Sequence, residues 1–211
     1  MTACIDSITN SNEESNMAER NEAIDGLKLS EAFAQSHRPF DECWTVRMDS
    51  ELLVIDDDES HATRYSDDQD DAGRALLVIN KNNKEIVLLS IDNKLIASRQ
   101  GGITDGALFD EDKFHFIEFK TNALGNSEQA VFDTFDKAVG QLRETIKVFV
   151  EHLEPQGIDM MAERIVACHV VVSERFPRSR ATRQNYSLQF LDETGVELSF
   201  SDKLYWEGFE K

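Results

Sequence analysis

The 211-residue chain lacks the features of a secreted or membrane-spanning protein. No run of about 18 apolar residues occurs, so we expect no membrane span. The first residues, MTACIDSITN, carry neither the basic nor the apolar region of a secretory signal. Cys4, Cys43 and Cys168 are odd in number and scattered, so they predict neither a disulfide framework nor a CxxC metal site. These absences favour a cytoplasmic protein with no membrane partner.

Several common catalytic motifs are also missing from the sequence. It contains no GxSxG nucleophile elbow, no P-loop, no GxGxxG and no HExxH. Each motif supplies a particular chemistry: a serine nucleophile, a phosphate cradle, a dinucleotide site or a zinc site. The sequence therefore gives little support to these classes of enzyme.

Positive charge is scarce, because 41 acidic residues face only 22 Lys and Arg, for a net charge of -19. A protein that binds nucleic acid through its phosphates is usually basic, so such a function needs a local basic surface or a bound metal. One dense basic stretch, ERFPRSRATR, contains Arg175, Arg178, Arg180 and Arg183. We expect these arginines to contact phosphate. A solvated loop, or a loop paired to the acidic tract, is the alternative.

The chain divides into a polar, acidic segment over residues 1–26 and a single domain over residues 27–211. Inside the domain, the acidic tract 56–71, DDDESHATRYSDDQDD, predicts a solvated loop because it lacks the internal glycine of a calcium loop, and metal binding by its carboxylates is the alternative. Tyr186 to Phe190 and Val196 to Phe200 alternate in polarity around Asp-Glu-Thr-Gly, which predicts an additional C-terminal β-hairpin. Between these regions, hydrophobic patterns predict three strands, a long helix and a fourth strand, at residues 85–91, 104–109, 113–120, 127–153 and 164–174. The order predicts an α/β or α+β domain with a mixed central β-sheet flanked by helices.

One predicted strand, HFIEFK, carries an acid and a base on the same face. Glu118 and Lys120 are two residues apart, and side chains of a strand alternate between faces. Asp105, at the start of the preceding strand, can approach Glu118 if the two strands are neighbours. Two carboxylates and a backbone carbonyl suit Mg²⁺ or Mn²⁺. Two alternatives are a salt bridge between Glu118 and Lys120 on an edge strand and a simple turn at Asp105 and Gly106.

These residues resemble the motif of the PD-(D/E)XK nuclease superfamily, which has the restriction-endonuclease-like fold. The motif covers Asp105, then Glu118-Phe119-Lys120, then Gln141 on an amphipathic helix, with the core motifs spanning residues 80–175. The resemblance implies that Asp105, Glu118 and the carbonyl of Phe119 hold Mg²⁺ or Mn²⁺. It also implies that Lys120 assists the attacking water and that Gln141 supports the site. The predicted helix has an apolar stripe at spacings of three and four residues from Val131 to Leu153, and Gln141 lies at its flank, so a boundary position is the alternative for this residue.

The resemblance predicts a metal-dependent nuclease that hydrolyses phosphodiester bonds in DNA or RNA. Two positions depart from the usual pattern. Thr104 precedes Asp105, where many members have proline, and Thr145 stands four residues after Gln141, where tyrosine is common. The net charge of -19 favours a second hypothesis. In it the protein is a catalytically inactive member of the fold that binds a protein partner or mimics nucleic acid.

Overall fold

The computed structural model describes residues 21–97, 102–121, 127–173 and 180–207. Within these ranges the chain forms ten strands and five α-helices. The helices are α1 (Glu22–Gly26), α2 (Leu29–Ala32), α3 (Glu128–Leu153), α4 (Met160–Glu163) and α5 (Arg180–Thr194). The strands are β1 (Trp44–Arg47), β2 (Glu51–Asp57), β3 (Ala62–Ser66), β4 (Leu76–Ile79), β5 (Ile86–Ser90), β6 (Gly106–Phe109), β7 (Lys113–Phe119), β8 (Ile165–Val171), β9 (Glu197–Phe200) and β10 (Lys203–Tyr205).

Six strands form a mixed central sheet in the order β1-β5-β6-β7-β8-β9. The neighbours from β1 to β7 run antiparallel, whereas β8 is parallel to β7 and β9 is parallel to β8. Parallel neighbours need a crossover connection, and here α3 links β7 to β8 while α5 links β8 to β9. The central sheet therefore consists of an antiparallel half and a parallel half that meet at β7.

A smaller sheet, in the order β10-β4-β2-β3, covers one face of the central sheet. Alternate residues of β2 and β4, such as Leu52, Val54 and Val78, share a buried cluster with Leu88 and Ile117 of the central sheet. The opposite face of the central sheet packs against α3, whose buried residues share a second cluster with β5 and β7. β7 is thus covered on both faces, with Phe114 and Phe116 in the cluster of α3 and with Ile117 and Phe119 in the cluster of the smaller sheet.

The predicted mixed α/β fold is confirmed, and the predicted strands and long helix occur where the patterns placed them. β5, β6, β7, α3 and β8 each lie within the range expected from the sequence. The buried side of α3 follows the predicted stripe at spacings of three and four residues, from Val131 to Leu153.

The predicted C-terminal β-hairpin is wrong. Tyr186 to Phe190 belong to α5, and the Asp-Glu-Thr-Gly segment ends this helix with Gly195 at a positive φ of 72°. The amide of Gly195 donates to the carbonyl of Leu191, as at many helix C-termini. Tyr186 and Phe190 are four residues apart, so both can pack inward from a helix even though they also fit a strand's alternation. β9 and β10 do not pair with each other either, because they belong to different sheets.

Two further segments differ from the sequence patterns. Residues 22–26, assigned above to the polar N-terminal segment, form α1, and Ala23 and Ile24 of this helix are buried in the core. The acidic tract 56–71 contains β3, so it is part of the smaller sheet and not only a loop. No helix in the described ranges combines the length and the apolar character needed to cross a membrane.

Candidate metal-dependent active site

The antiparallel pairing of β6 and β7 brings the two predicted carboxylates together. Gly106 is paired with Ile117, so one further step of the same register places Asp105 opposite Glu118. Oδ2 of Asp105 accepts a hydrogen bond of 2.5 Å from the backbone amide of Phe119, which fixes the carboxylate at the end of β7. The predicted approach of Asp105 to Glu118 therefore follows from the register of a single hairpin.

Lys120 and Gln141 complete a connected polar network beside Glu118. Nζ of Lys120 forms an ion pair with Oε1 of Glu118 and donates a hydrogen bond of 3.1 Å to Oε1 of Gln141. Nε2 of Gln141 donates in turn to the carbonyl of Ile103, at 3.0 Å. The side chains of Glu118, Lys120 and Gln141 thus form one connected network, and the amide of Phe119 holds Asp105 at the same end of β7.

The network is deeply buried, with 1% of Glu118 exposed to solvent. Burial raises the pKa of Glu118 to about 7, and the negative charge of Asp56 adds to this shift while Lys120 opposes it. Burial also raises the pKa of Asp105 well above its usual range, and the charges of Glu118 and Asp56 increase the shift. Both carboxyls therefore hold their protons more strongly than exposed acids do, and Lys120 offsets only part of the cost of ionising Glu118.

Two threonines and a glycine hold the segment before Asp105 against α3. The amide of Thr104 donates to the hydroxyl of Thr145 at 2.9 Å, and the hydroxyl of Thr104 donates to the carbonyl of Ile117 at 2.8 Å. Gly102 has a positive φ of 82°, and a Cβ there would lie 2.9 Å from the side chain of Gln141. Thr104 and Thr145, the two departures from the family pattern, therefore bind each other and position the loop that carries Asp105.

Asp56 is a third carboxylate of the site, and the sequence patterns did not single it out. It lies near the end of β2, where its negative charge raises the pKa of both Asp105 and Glu118. A signal was present, because Asp56 continues the alternation of Leu52 and Val54, the residues of β2 that face the central sheet. An acid in an inward position of a strand is a candidate functional residue, since burial of a charge is costly.

The arrangement fits a hydrated divalent cation. Oε2 of Glu118 is buried and has no hydrogen-bond partner among the described residues. A buried carboxylate oxygen without a partner is costly, and a cation or its bound water would satisfy it. In the described ranges, no three His, Cys, Asp or Glu side chains form a complete ligand set. Mg²⁺ is commonly held by one or two carboxylates with water in its other positions, so Asp105 and Glu118 suit it. The amide of Phe119 is engaged with Asp105, and the metal contact of its carbonyl stays a prediction.

The structure describes only part of the basic stretch. Arg175 and Arg178 lie outside the described residues, and Arg180 is the first residue of α5, with its side chain also outside the description. Arg183 lies on α5 and donates a hydrogen bond of 3.3 Å to the carbonyl of Phe200. Phosphate binding by these four arginines therefore stays a prediction.

Comparison of the chain with protein-family models, curated proteins and solved structures finds no match.

Proposed function

We propose that the protein is a metal-dependent phosphodiesterase that hydrolyses DNA or RNA. The observation that carries the proposal is the opposed pair of Asp105 and Glu118, with Lys120 joined to both Glu118 and Gln141. The carboxylates can bind a hard cation, and the amine can donate hydrogen bonds to phosphate or to water. An in-line displacement at phosphorus needs both kinds of group.

In the proposed reaction, Asp105 and Glu118 hold Mg²⁺ or Mn²⁺. A bound divalent cation supplies an activated water and neutralises charge on the phosphate. Lys120 donates hydrogen bonds to the attacking water or to a non-bridging phosphate oxygen, and Gln141 restricts its amine to that side of the site. The oxygen of water forms a bond to phosphorus as the bond to the leaving oxygen breaks, and the proton that the water releases is balanced by the one that the leaving oxygen takes up from solvent. The products are a phosphate monoester and a free hydroxyl.

The order of elements supports the same proposal. β5, β6 and β7 are consecutive antiparallel neighbours, and α3 then crosses to β8, which lies parallel to β7. This is the succession of three strands, helix and strand that the restriction-endonuclease-like core would have. The smaller sheet supplies a further carboxylate, Asp56, whose charge acts on both Asp105 and Glu118.

A cleavage assay tests the proposal. Purified protein is incubated with labelled single- and double-stranded DNA and RNA in Mg²⁺ or Mn²⁺, and parallel reactions contain EDTA. We expect metal-dependent cleavage by the wild type and a loss of at least about a hundredfold in Asp105→Asn and Glu118→Gln. Glu144→Gln is the matched control, because Glu144 is exposed on α3 and undergoes the same chemical change. Cleavage that survives in both site variants would refute the proposed site.

The alternative function, an inactive nuclease-like protein that binds a protein partner or mimics nucleic acid, is favoured by the net charge of -19. It also fits the ion pair of Lys120 with Glu118, which places a positive charge beside one proposed metal ligand. The same assay separates the two functions. Metal binding without cleavage of any of the four substrates would favour the alternative.

A further inference from the structure

A row of three polar side chains crosses the parallel half of the central sheet, on the face that the smaller sheet covers near Ile117. The residues are His115 of β7, His169 of β8 and Ser199 of β9. Ser199 is paired with His169, and its hydroxyl oxygen lies 2.5 Å from Nδ1 of that ring. Nε2 of the same ring lies 2.8 Å from Nδ1 of His115. The three groups therefore form one hydrogen-bonded chain from the edge strand towards the middle of the sheet.

The two imidazoles of this chain are joined edge to edge. Their planes differ by 22° and their centroids are 5.1 Å apart. Rings at this separation, with nitrogens 2.8 Å apart, place the N–H of one in line with the lone pair of the other. Trp206 supports the His115 end of the chain, with its ring centroid 5.2 Å from that of His115 and its indole N–H donated to Asp110 at 2.7 Å. The orientation of His169 towards Ser199 is thereby fixed.

The chain is buried at the histidines and reaches an open surface at the serine. His169 is 7% exposed, whereas Ser199 is only half-buried and lies on the last strand of the sheet. Ile165 and Ala167 share a face of β8 with His169, and Ile165 is 64% exposed. The smaller sheet therefore leaves a short apolar strip open beside Ser199, along which a small apolar group can lie.

The backbone at the open edge of β9 can supply a hydrogen-bond donor beside Ser199. The amide of Ser201 donates to the carbonyl of Val170 at 3.2 Å, so Ser199 and Ser201 are the residues that bond to β8. Phe200 between them points its backbone groups to the open edge, where Arg183 donates to its carbonyl at 3.3 Å. An amide that points out of the sheet next to a nucleophile is the kind of donor that stabilises negative charge on a carbonyl oxygen.

We propose that Ser199 is a nucleophile for acyl transfer from carboxylic esters, with His169 as its general base and His115 as the residue that positions this base. The hydroxyl of Ser199 donates to Nδ1 of His169, and Nε2–H of His169 donates to Nδ1 of His115. Nε2 of His115, which is buried without a hydrogen-bond partner among the described residues, then carries its proton beside the ring of Trp206. Nucleophile, base and orienting group are thus joined as covalent catalysis requires. The inference is independent of the proposed nuclease activity.

The acyl transfer has two steps. Oγ of Ser199 forms a bond to the carbonyl carbon as its proton passes to Nδ1 of His169, and the leaving oxygen takes that proton as its bond to the carbon breaks. Water then attacks the acyl group by the same route and releases the acid and free Ser199. Burial lowers the pKa of His169 to about 4, so the ring is neutral at pH 7 but is a weak base. We therefore expect short-chain aryl esters, whose leaving groups depart readily, as substrates, and the attack of water as the slower step.

Reaction with p-nitrophenyl acetate at pH 7.5 in EDTA tests the inference. The released phenolate is followed by stopped-flow absorbance, and tandem mass spectrometry locates the acetyl group. We expect a burst of about one phenolate per chain, with the acetyl group on Ser199. Ser199→Ala should abolish the burst, and His169→Gln should slow it by at least about a hundredfold. His115→Phe should slow it by about tenfold, whereas His115→Asn, which keeps an acceptor near the position of Nδ1, should recover most of the rate.

Ser201→Ala is the matched control, because Ser201 lies two residues from Ser199 on the same side of the chain. It should react like the wild type, and urea unfolding shows that each variant is folded. The inference is overturned if the wild type gives no burst, if the burst survives in Ser199→Ala, or if the acetyl group is found only on other residues. Asp105→Asn should keep the burst while it loses metal-dependent cleavage, so failure of one proposal is distinct from failure of the other.

Discussion

Replacement of Glu118 by Gln should make the metal-free protein more stable at alkaline pH. Glu118 is almost fully buried, and its pKa rises from 4.5 to about 7 in the folded protein. Because the folded-state value is the higher one, the unfolded chain releases this proton first, so stability falls as the pH rises from about 4.5 to 7 and is then level. Gln has nearly the same shape but no charge to bury, so it avoids this loss.

The size of the effect follows from the pKa difference. Each pKa unit corresponds to about 1.4 kcal/mol, so the wild type loses up to about 3 kcal/mol at pH 8. The attraction of Lys120 is already included, since it lowers the same pKa. For a chain of this length, the difference amounts to a melting temperature roughly 5–10 °C higher for Glu118→Gln than for the wild type. Below pH 4.5 the two proteins should be similar.

Urea unfolding in EDTA at pH 5 and pH 8 measures this difference directly. In a parallel experiment without EDTA, Mg²⁺ at about ten times its dissociation constant should raise the free energy of unfolding of the wild type by about 1.4 kcal/mol. The increase for Glu118→Gln should be much smaller. Glu144→Gln should show no comparable dependence on pH, because Glu144 is exposed. A Glu118→Gln protein that is less stable than the wild type by the same amount at both pH values would refute the reasoning, since Glu118 would then act as a stabilising partner of Lys120.

Two further predictions concern groups that hold the surrounding structure. Thr145→Val should lower the free energy of unfolding, measured in urea, by about 1–3 kcal/mol, because the buried amide of Thr104 loses its acceptor. Thr145→Ser keeps a hydroxyl and should be close to the wild type. Equal stabilities of the two variants would contradict this role. Burial lowers the pKa of His169 to about 4, so protonation favours the unfolded chain, and stability should fall by up to about 3 kcal/mol as the pH drops from about 6.5 to 4. In a Glu118→Gln background, which removes the opposite contribution of Glu118, a further His169→Gln change should reduce this loss but not abolish it, because burial also lowers the pKa of the neighbouring His115. An unchanged pH profile would contradict the assignment to His169.

Asp105, Glu118 and Lys120 could be predicted from the sequence because they lie on one local hairpin. The alternation of β7 put Glu118 and Lys120 on one face, and the neighbouring strand brought Asp105 opposite. Gln141 was singled out only through the resemblance to the nuclease motif, because its place at the flank of the apolar stripe of α3 fits a boundary position of the helix as well. Local periodicity is sufficient wherever the partner elements follow each other in the chain.

Asp56 was not accessible in the same way, because its position depends on the packing of one sheet on another. Asp56 is paired with Thr63 across the β2–β3 hairpin, and the contacts of Thr63 with Ser90 and Gly106 that hold this hairpin in place are formed between segments distant in sequence. The C-terminal helix was missed for a different reason. The spacing of Tyr186 and Phe190 fits a strand and a helix equally well. The helix is required because β8 and β9 are parallel neighbours, and parallel strands need a crossover connection between them.

The hairpin of β6 and β7 has a consequence for the order of folding. Asp105 and Glu118 are brought together by a short loop, whose closure costs little chain entropy, whereas Asp56 arrives only when the smaller sheet docks. The apolar residues of the hairpin set its register, so they must overcome the repulsion of two acids while the ends of the strands are still open to water. We therefore expect this repulsion to be weak during early folding, when water screens it, and to grow as docking removes the solvent.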